Sequence, residues 1–259
     1  MAPFVLIACT PEPEPQARPA QAERVWSGAS FQIETAEGEM QSLVLAGVTA
    51  PDADRFPAAA QAARDALTAR LETSGASVSV RPASDPPRDR YDRLIAAART
   101  QQGDLAEALV REGRLMVWPR QGETLDFTPL YAAEVEARDR GAGAWGEQAF
   151  RVFEPDPNTL AQRLDGPVVV EGIVVDTGEA RDGRVFVNFG LDWRTDFTAT
   201  ADRASRAVFD AAGLDLMSLE GARVRVRGWL YETNGPSISL THPAQLELVD
   251  APEPVRLRD

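Results

Sequence analysis

Hydrophobic and polar positions alternate with a period of two over Val25–Thr35 and again over Met40–Val48. Ala36-Glu37-Gly38-Glu39 lies between them and supplies a turn, so the pattern predicts a β-hairpin. The period then changes. Phe56–Glu72 is alanine-rich, and Ala60, Ala63, Leu67 and Leu71 fall on one face of a helix. Strand texture returns at Ser77–Val80 and Leu94–Ala98, on either side of a Pro- and Arg-rich loop. Asp104–Glu112 predicts a second helix closed by Gly113, and Pro129–Arg140 a third, stopped by Gly141 and Gly143. The expected order is β-β-α-β-β-α-α.

Proline and aspartate punctuate Pro155–Pro167, and a second strand-rich region follows. Val168–Asp176, Arg184–Asn188, Thr198–Ala201, Ala222–Tyr231 and Ser237–Leu240 read as strands, with a helix at Ala204–Ala211. Asn234-Gly235 marks a tight turn before the last of them. Five strands with a helix between the third and fourth is the order of an OB-fold barrel, which binds oligonucleotides or oligosaccharides through one face. The expected boundaries are an N-terminal address and tether over 1–23, a first domain over 24–146 and a linker over 147–166. A second domain over 167–251 and a tail over 252–259 complete the chain.

Composition narrows the chemistry. The 259 residues carry a formal net charge of −13, and all 27 cationic residues are arginine. An acidic chain lowers the expectation of strong polyanion binding, which draws its affinity from cations that displace counterions from phosphates. One cysteine, Cys9, permits no intramolecular disulfide and no Cys-based zinc site. One histidine, His242, excludes multi-histidine metal centres and the Ser-His-Asp and Cys-His arrangements. Its place before Pro243 suits a capping residue better than a ligand.

Leu6-Ile7-Ala8-Cys9 resembles the lipobox of bacterial lipoproteins, and the Pro/Glu alternation after it suits an extended tether. The resemblance implies lipidation of Cys9 and a bacterial cell-envelope location, in the outer membrane because Thr10 rather than Asp follows the cysteine. The basic region and long apolar stretch of a signal peptide do not precede it, so translation is expected to start upstream of Met1. The competing reading is a frayed terminus with a chance cysteine.

Four stretches in the first domain occur in the order of one known family. Leu45-Ala46-Gly47-Val48-Thr49-Ala50-Pro51-Asp52 is similar to an L-A-G-I-D-A-P-E turn, and Asp89-Arg90-Tyr91-Asp92-Arg93 to D-K-Y-G-R. Leu105–Gly113 is similar to an N-x-x-L-V-x-x-G helix and cap, and Arg138–Trp145 to a G-I-W close. Together they resemble the staphylococcal-nuclease (thermonuclease) family. The implied fold class is α+β, mostly β: an SNase-like OB barrel with three helices, followed by a second, C-terminal OB-fold-like barrel.

The resemblance also implies a mechanism against which these residues can be checked. Family phosphodiester hydrolysis uses calcium held by carboxylates, a glutamate beside the attacking water, and two arginines that neutralise charge building on phosphorus. The two metal-binding aspartates fall on Ala29 and Thr49, the first arginine on Val44, and the glutamate on Asp52, one methylene shorter. The second arginine is kept as Arg93, with Tyr91 beside it as a substrate-packing residue. Two roles stand open for Arg93: an anion contact, or an intramolecular pair with Asp89 or Asp52. Trp118 and Trp145 are expected in the core.

Arg223, Arg225 and Arg227 alternate along one strand of the second domain, and Phe186, Trp193, Phe197 and Trp229 could stack on a ligand. The preferred reading of the arginines is a solvated outer face. The expectation is then a catalytically degenerate, thermonuclease-like envelope lipoprotein that acts as a binding or scaffolding module. It has no resident metal or cofactor, Cys9 as its membrane anchor, an unidentified envelope partner, and weak nucleic-acid or oligosaccharide binding. The alternatives are a divergent secreted nuclease, the only case that would need calcium, and an envelope oligosaccharide- or peptidoglycan-binding protein that uses the second barrel.

Overall fold

A computed structural model describes residues 16–250. Cys9, the Leu6–Cys9 motif and the tail 252–259 lie outside the described residues.

The first region opens with strands β1 (Arg18–Ser27), β2 (Ser30–Thr35) and β3 (Met40–Leu45) and the short β4 (Val48–Thr49). Helix α1 (Pro57–Thr73) follows, then β5 (Ser77–Pro82), β6 (Leu94–Thr100) and β7 (Gly103–Asp104). Helix α2 (Leu105–Arg111), β8 (Met116–Val117) and helix α3 (Thr128–Asp139) complete it. Antiparallel pairs run β3-β2-β1-β5-β6, and a parallel pairing of β3 with β6 closes the sheet into a five-stranded barrel. Alternate residues, among them Phe31, Ile33, Leu43, Leu45, Val78, Val80, Ala96 and Ala98, fill its interior and meet Leu67, Leu71, Leu105 and Leu109 from the helices.

Three barrel strands and the short β4, rather than two strands, precede α1. The stretch Val25–Thr35 is a hairpin folded at Gly28-Ala29, with Ser27 opposite Ser30 and irregular register around Val25. The bulge disguises the turn, because it lets the apolar alternation run on across it. Gly28 is required there: a Cβ would stand 2.5 Å from Ala63 Cβ of α1. Strand β1 also begins at Arg18, inside the stretch assigned to the tether, because Arg18–Gln21 pairs with β5. On α1 the buried residues are Ala59, Ala63, Leu67 and Leu71, so Ala59 replaces Ala60 in the expected face. The α2 ends match their sequence signals: the Asp104 carboxylate accepts from Glu107 N at 3.0 Å, and Gly113 adopts φ +68°.

The expected linker is packed structure. After a single turn at Gly143–Trp145, β9 (Val152–Phe153) lies parallel to strand β10 (Gly166–Ile173), and α4 (Pro157–Leu160) follows it. Phe153 and Leu160 sit in the second core. The Pro/Asp texture marks the turns and the Asp156 cap of this segment rather than a loose connection.

The second region comprises β10 (Gly166–Ile173), β11 (Asp176–Glu179), β12 (Val185–Asn188) and β13 (Thr198–Ala201), then helix α5 (Arg203–Ala211). Strands β14 (Arg223–Glu232), β15 (Pro236–Ser239) and β16 (Leu246–Asp250) end it. The sheet runs β11-β12-β13-β15-β14-β10, with β9 beyond β10, and β10 and β11 are two halves of one bent segment. The sheet therefore curls round on itself in the strand order of an OB barrel. Asn234 and Gly235 both have positive φ, as the tight turn before β15 demands. Strand β16, which pairs with β14, has no counterpart in the sequence expectation.

Candidate functional site

The barrel register brings Ala29, Val44 and Arg93 to one end of the first barrel. Ala29 sits at the β1–β2 turn and its carbonyl accepts from Leu45 N at 2.9 Å. Val44 stands opposite Ser30 and beside Ile95, one residue from where Arg93 leads into β6. The shared location is what the motifs imply, but the chemistry at it differs. Ala29 and Val44 are buried apolar side chains. The hydroxyl of Thr49 lies 3.4 Å from the adjacent Ala50 carbonyl. A hard cation needs several oxygen ligands, and a methyl and a lone hydroxyl do not provide them. Among the described residues, no three His, Cys, Asp or Glu side chains cluster as a metal site requires. The residues here do not fit the family's calcium ion.

Asp52 and Arg93 are both engaged within the chain. The Asp52 carboxylate accepts from Asp54 N at 2.9 Å and Arg55 N at 3.2 Å, closing the turn before α1. The Arg55 guanidinium in turn donates to the Leu164 carbonyl at 2.6 Å and, more weakly, to that of Arg163. Asp52 thus faces a crevice of about 30 Å³ between the first barrel and the segment leading to the second, lined by Phe56, Met116, Phe150 and Val169. A crevice of that size has room for no more than a few waters, far below what a nucleotide occupies.

Arg93 is clasped by Asp89. Its Nε lies 2.8 Å and its Nη2 2.7 Å from Oδ2, while the backbone N–H groups of Arg93 and Tyr91 donate to Oδ1 at 3.0 and 2.9 Å. Partial burial pushes the Asp89 carboxyl up, but the Arg93 guanidinium and these N–H donors outweigh it and hold it below the usual range. Of the two roles open for Arg93, the geometry displays the pair with Asp89. Tyr91 projects into solvent, 63% exposed, with the guanidinium carbons of Arg90 and Arg93 at 4.8 and 5.2 Å from its ring.

What holds this end together comes from residues with no place in the motif comparison. The buried Glu123 carboxylate accepts from Gly47 N at 2.9 Å and from Arg120 N at 2.9 Å. Arg120 reaches Glu123 at 3.0 Å and donates to the Val48 carbonyl at 2.7 Å. The Leu45–Thr49 turn is therefore fixed by an acid and a base about 75 residues later in the chain. His242 caps the turn at Pro243–Gln245: its Nδ1 accepts from Ala244 N at 3.1 Å. The opposite ring nitrogen lies 3.0 Å from the Glu123 carbonyl, which assigns the proton to Nε2.

The arginine stripe of β14 departs most from expectation. Arg223 and Arg225 pair with Glu171, at 2.8 and 2.6 Å. Arg227 is fully buried, donating to Glu134 of α3 at 2.9 Å and to the Val117 carbonyl at 3.0 Å, and it also pairs with Glu247. Burial alone would lower its pKa; the charges of Glu134 and Glu247 and the Tyr131 oxygen more than reverse this and keep it protonated. The Tyr131 ring packs under the guanidinium, 4.6 Å away, and its hydroxyl donates to the Ala244 carbonyl. The stripe splits: Arg223 is exposed, as expected of a solvated face, Arg225 is half-buried against Glu171 and Glu247, and Arg227 fastens one barrel to the other through Glu134. Trp145 is buried and Trp118 packs beside it, both in a cluster that joins Ala59 and Met116 to Val169 of β10.

The second barrel carries an open cleft of about 640 Å³ over β11, β12 and β13 and the β14–β15 turn. Of the aromatic residues singled out from sequence, Phe186 and Trp193 line it. Phe197 is buried in the core, and Trp229 is exposed away from the cleft lining. The alternation Val185-Phe186-Val187-Asn188 could have shown which β12 side chains face outward.

A search of curated proteins finds no match to the chain. The family model described as staphylococcal nuclease homologue matches residues 42–147, the span that holds the Leu45–Asp52 turn, the Asp89–Arg93 loop and the Trp145 close. The first barrel with its helices is accordingly a staphylococcal nuclease-like domain, and through it this chain is related to that nuclease family.

Proposed function

We propose that the protein is a catalytically degenerate thermonuclease-like lipoprotein of the bacterial cell envelope, anchored through Cys9, in which the first barrel is a scaffold for a binding module. One observation carries this: the two surviving catalytic positions are spent on the fold. Arg93 is neutralised by Asp89, and Asp52 closes a turn against a crevice too small for a nucleotide. Loss of one preorganised electrostatic group costs about 10²–10³ in rate, and here the two metal carboxylates and one arginine are replaced together. The envelope location draws on the Leu6–Cys9 motif alone.

A plasmid-nicking assay with calcium tests the loss of chemistry, with Arg93→Ala as control. The expected result is no cleavage above the buffer rate for either protein; robust, calcium-dependent cleavage abolished by Arg93→Ala would establish a divergent nuclease instead. Palmitate labelling in a bacterial host tests the anchor: label is expected on the wild type and absent from Cys9→Ser.

A further inference from the structure

The crevice between the first barrel and the segment leading to the second carries a charge opposite to that of the chain. Arg55, Arg151 and Arg163 are among its lining residues, and Asp52 is the one carboxylate there. The chain as a whole holds 40 acidic residues against 27 arginines, so a cation rarely lacks an acid within reach. Arg55 has one, 3.8 Å away at Asp52. Among the described residues, Arg151 and Arg163 form no ion pair, not even with Glu154 and Asp165, their neighbours in sequence. Neither guanidinium donates a hydrogen bond within the described chain. Arg151 is exposed and Arg163 half-buried, so both edges are open to solvent.

Aromatic rings hold these two arginines by their faces instead. The guanidinium carbon of Arg163 lies 5.8 Å from the Phe56 ring and 5.3 Å from the Phe153 ring. That of Arg151 lies 5.2 Å from Phe153. A stacked guanidinium uses its π face and keeps its N–H edge, a planar fork of donors, for another partner. Phe56 precedes α1 and Phe153 lies in β9, so the stack forms where the first barrel meets the following segment. Arg55 is fixed at the same place. Its Nη2 donates to the Leu164 carbonyl at 2.6 Å, and a Cβ on Gly166 would stand 2.7 Å from its Nη1. Like charges gathered at one ring repel, and an anion bound to both reverses the sign of that interaction.

Size and charge then select the ligand. The crevice is about 30 Å³, so a ligand rests on its rim and presents only a small group to the arginines. Three arginines against one aspartate leave two positive charges without a counterion in the lining. A terminal phosphate carries close to two negative charges at neutral pH and three acceptor oxygens, enough to meet two guanidinium forks together. A carboxylate or an internal phosphodiester brings a single charge and fewer free oxygens. We propose that Arg151 and Arg163 hold a terminal phosphate, free or on a phosphate monoester, at this rim, with Arg55 adding a third positive charge. None of the three arginines occupies a position that the family resemblance assigns, so phosphate binding and nicking activity can each fail without the other.

Calorimetric titration of the full chain at low ionic strength tests it, with inorganic phosphate, glycerol 3-phosphate and adenosine 5′-monophosphate as probes. Single-stranded oligothymidylate without a terminal phosphate is titrated in parallel. All three phosphates are expected to bind one site with a Kd of about 1 mM or tighter and within about threefold of one another, because the rest of each ligand stays outside. Added salt should weaken all three. Arg151→Gln, at an exposed residue, should weaken them by about tenfold or more and keep the wild-type melting temperature in phosphate-free buffer. Phosphate should raise the melting temperature of the wild type and not of this variant. Binding of none of the three probes below about 10 mM overturns the proposal. So does oligothymidylate binding more tightly than all of them. Phosphate binding that survives Arg151→Gln also overturns it, and its loss in Arg93→Ala would then place the anion at the family position.

Discussion

The two barrels differ in what lies at their polar ends. In the first, the end that would hold a nuclease centre carries Ala29 and Val44 as buried apolar residues, and its remaining charges are paired off within the chain. In the second, a row of polar side chains crosses four strands under an open cleft of about 640 Å³. A site that must act on a ligand has to leave groups available to it. The same contrast appears in the arginines: Arg93 and Arg227 are both intramolecular fasteners, although sequence position alone would make either an anion contact.

The comparison can be broken most severely at the junction. Arg227→Ala removes the countercharge of Glu134, which is itself 1% exposed, and should lower the unfolding free energy by about 3–5 kcal/mol in urea denaturation. Arg227→Met combined with Glu134→Gln keeps an acceptor for Val117 N and leaves no buried charge, so it should recover most of the loss. A double variant no more stable than Arg227→Ala would show that packing, rather than the ion pair, fastens the barrels.

Two glycines sharpen the contrast at intermediate cost. Gly28→Ala drives a methyl to within 2.5 Å of Ala63 Cβ and should destabilise by about 1–3 kcal/mol as an overpacked core contact. Gly178→Ala places its methyl in open space and should stay within about 0.5 kcal/mol of the wild type. Equal effects at the two positions would mean that the cleft floor is closed in solution.

The smallest effect is expected at the Asp89–Arg93 loop. Arg93 is 39% exposed, so solvent screens its pair with Asp89, and Arg93→Ala should cost no more than about 1 kcal/mol near neutral pH. The sign with pH follows from the lowered Asp89 carboxyl. A depressed folded pKa contributes stability above the ordinary Asp value of about 3.9 and loses it as pH falls through the lower folded value. The difference between wild type and Arg93→Ala should therefore shrink on acidification below about pH 4. A difference that grows in acid would remove Asp89 as the partner.

Much of this was legible in the chain. The period-two segments and the α2 caps located most elements, and the motif residues alone pointed to the family of the first barrel. The hairpin at Gly28-Ala29 was not legible, because a bulge carries the apolar alternation through the turn. The packed segment after Trp145 was also missed, since the proline and aspartate that begin a short helix read the same as those of a linker. For the second barrel, the alternation in β12 and β13 separates core from cleft residues, but the alignment of one row across four strands depends on register.

The sequence by itself determined which atoms are present: no carboxylate at positions 29 and 49, no guanidinium at 44, one arginine at 93. Whether each of these four positions departs from the family's pattern or retains it is readable without a structure. Only the tertiary structure decided what the remaining charges do. Asp89 claims Arg93 from four residues away, whereas Glu134 claims Arg227 from 93 and Glu123 claims Gly47 from 76. A charge binds whichever partner the fold brings within about 3 Å in the absence of water, and at such separations the chain order carries no record of that choice.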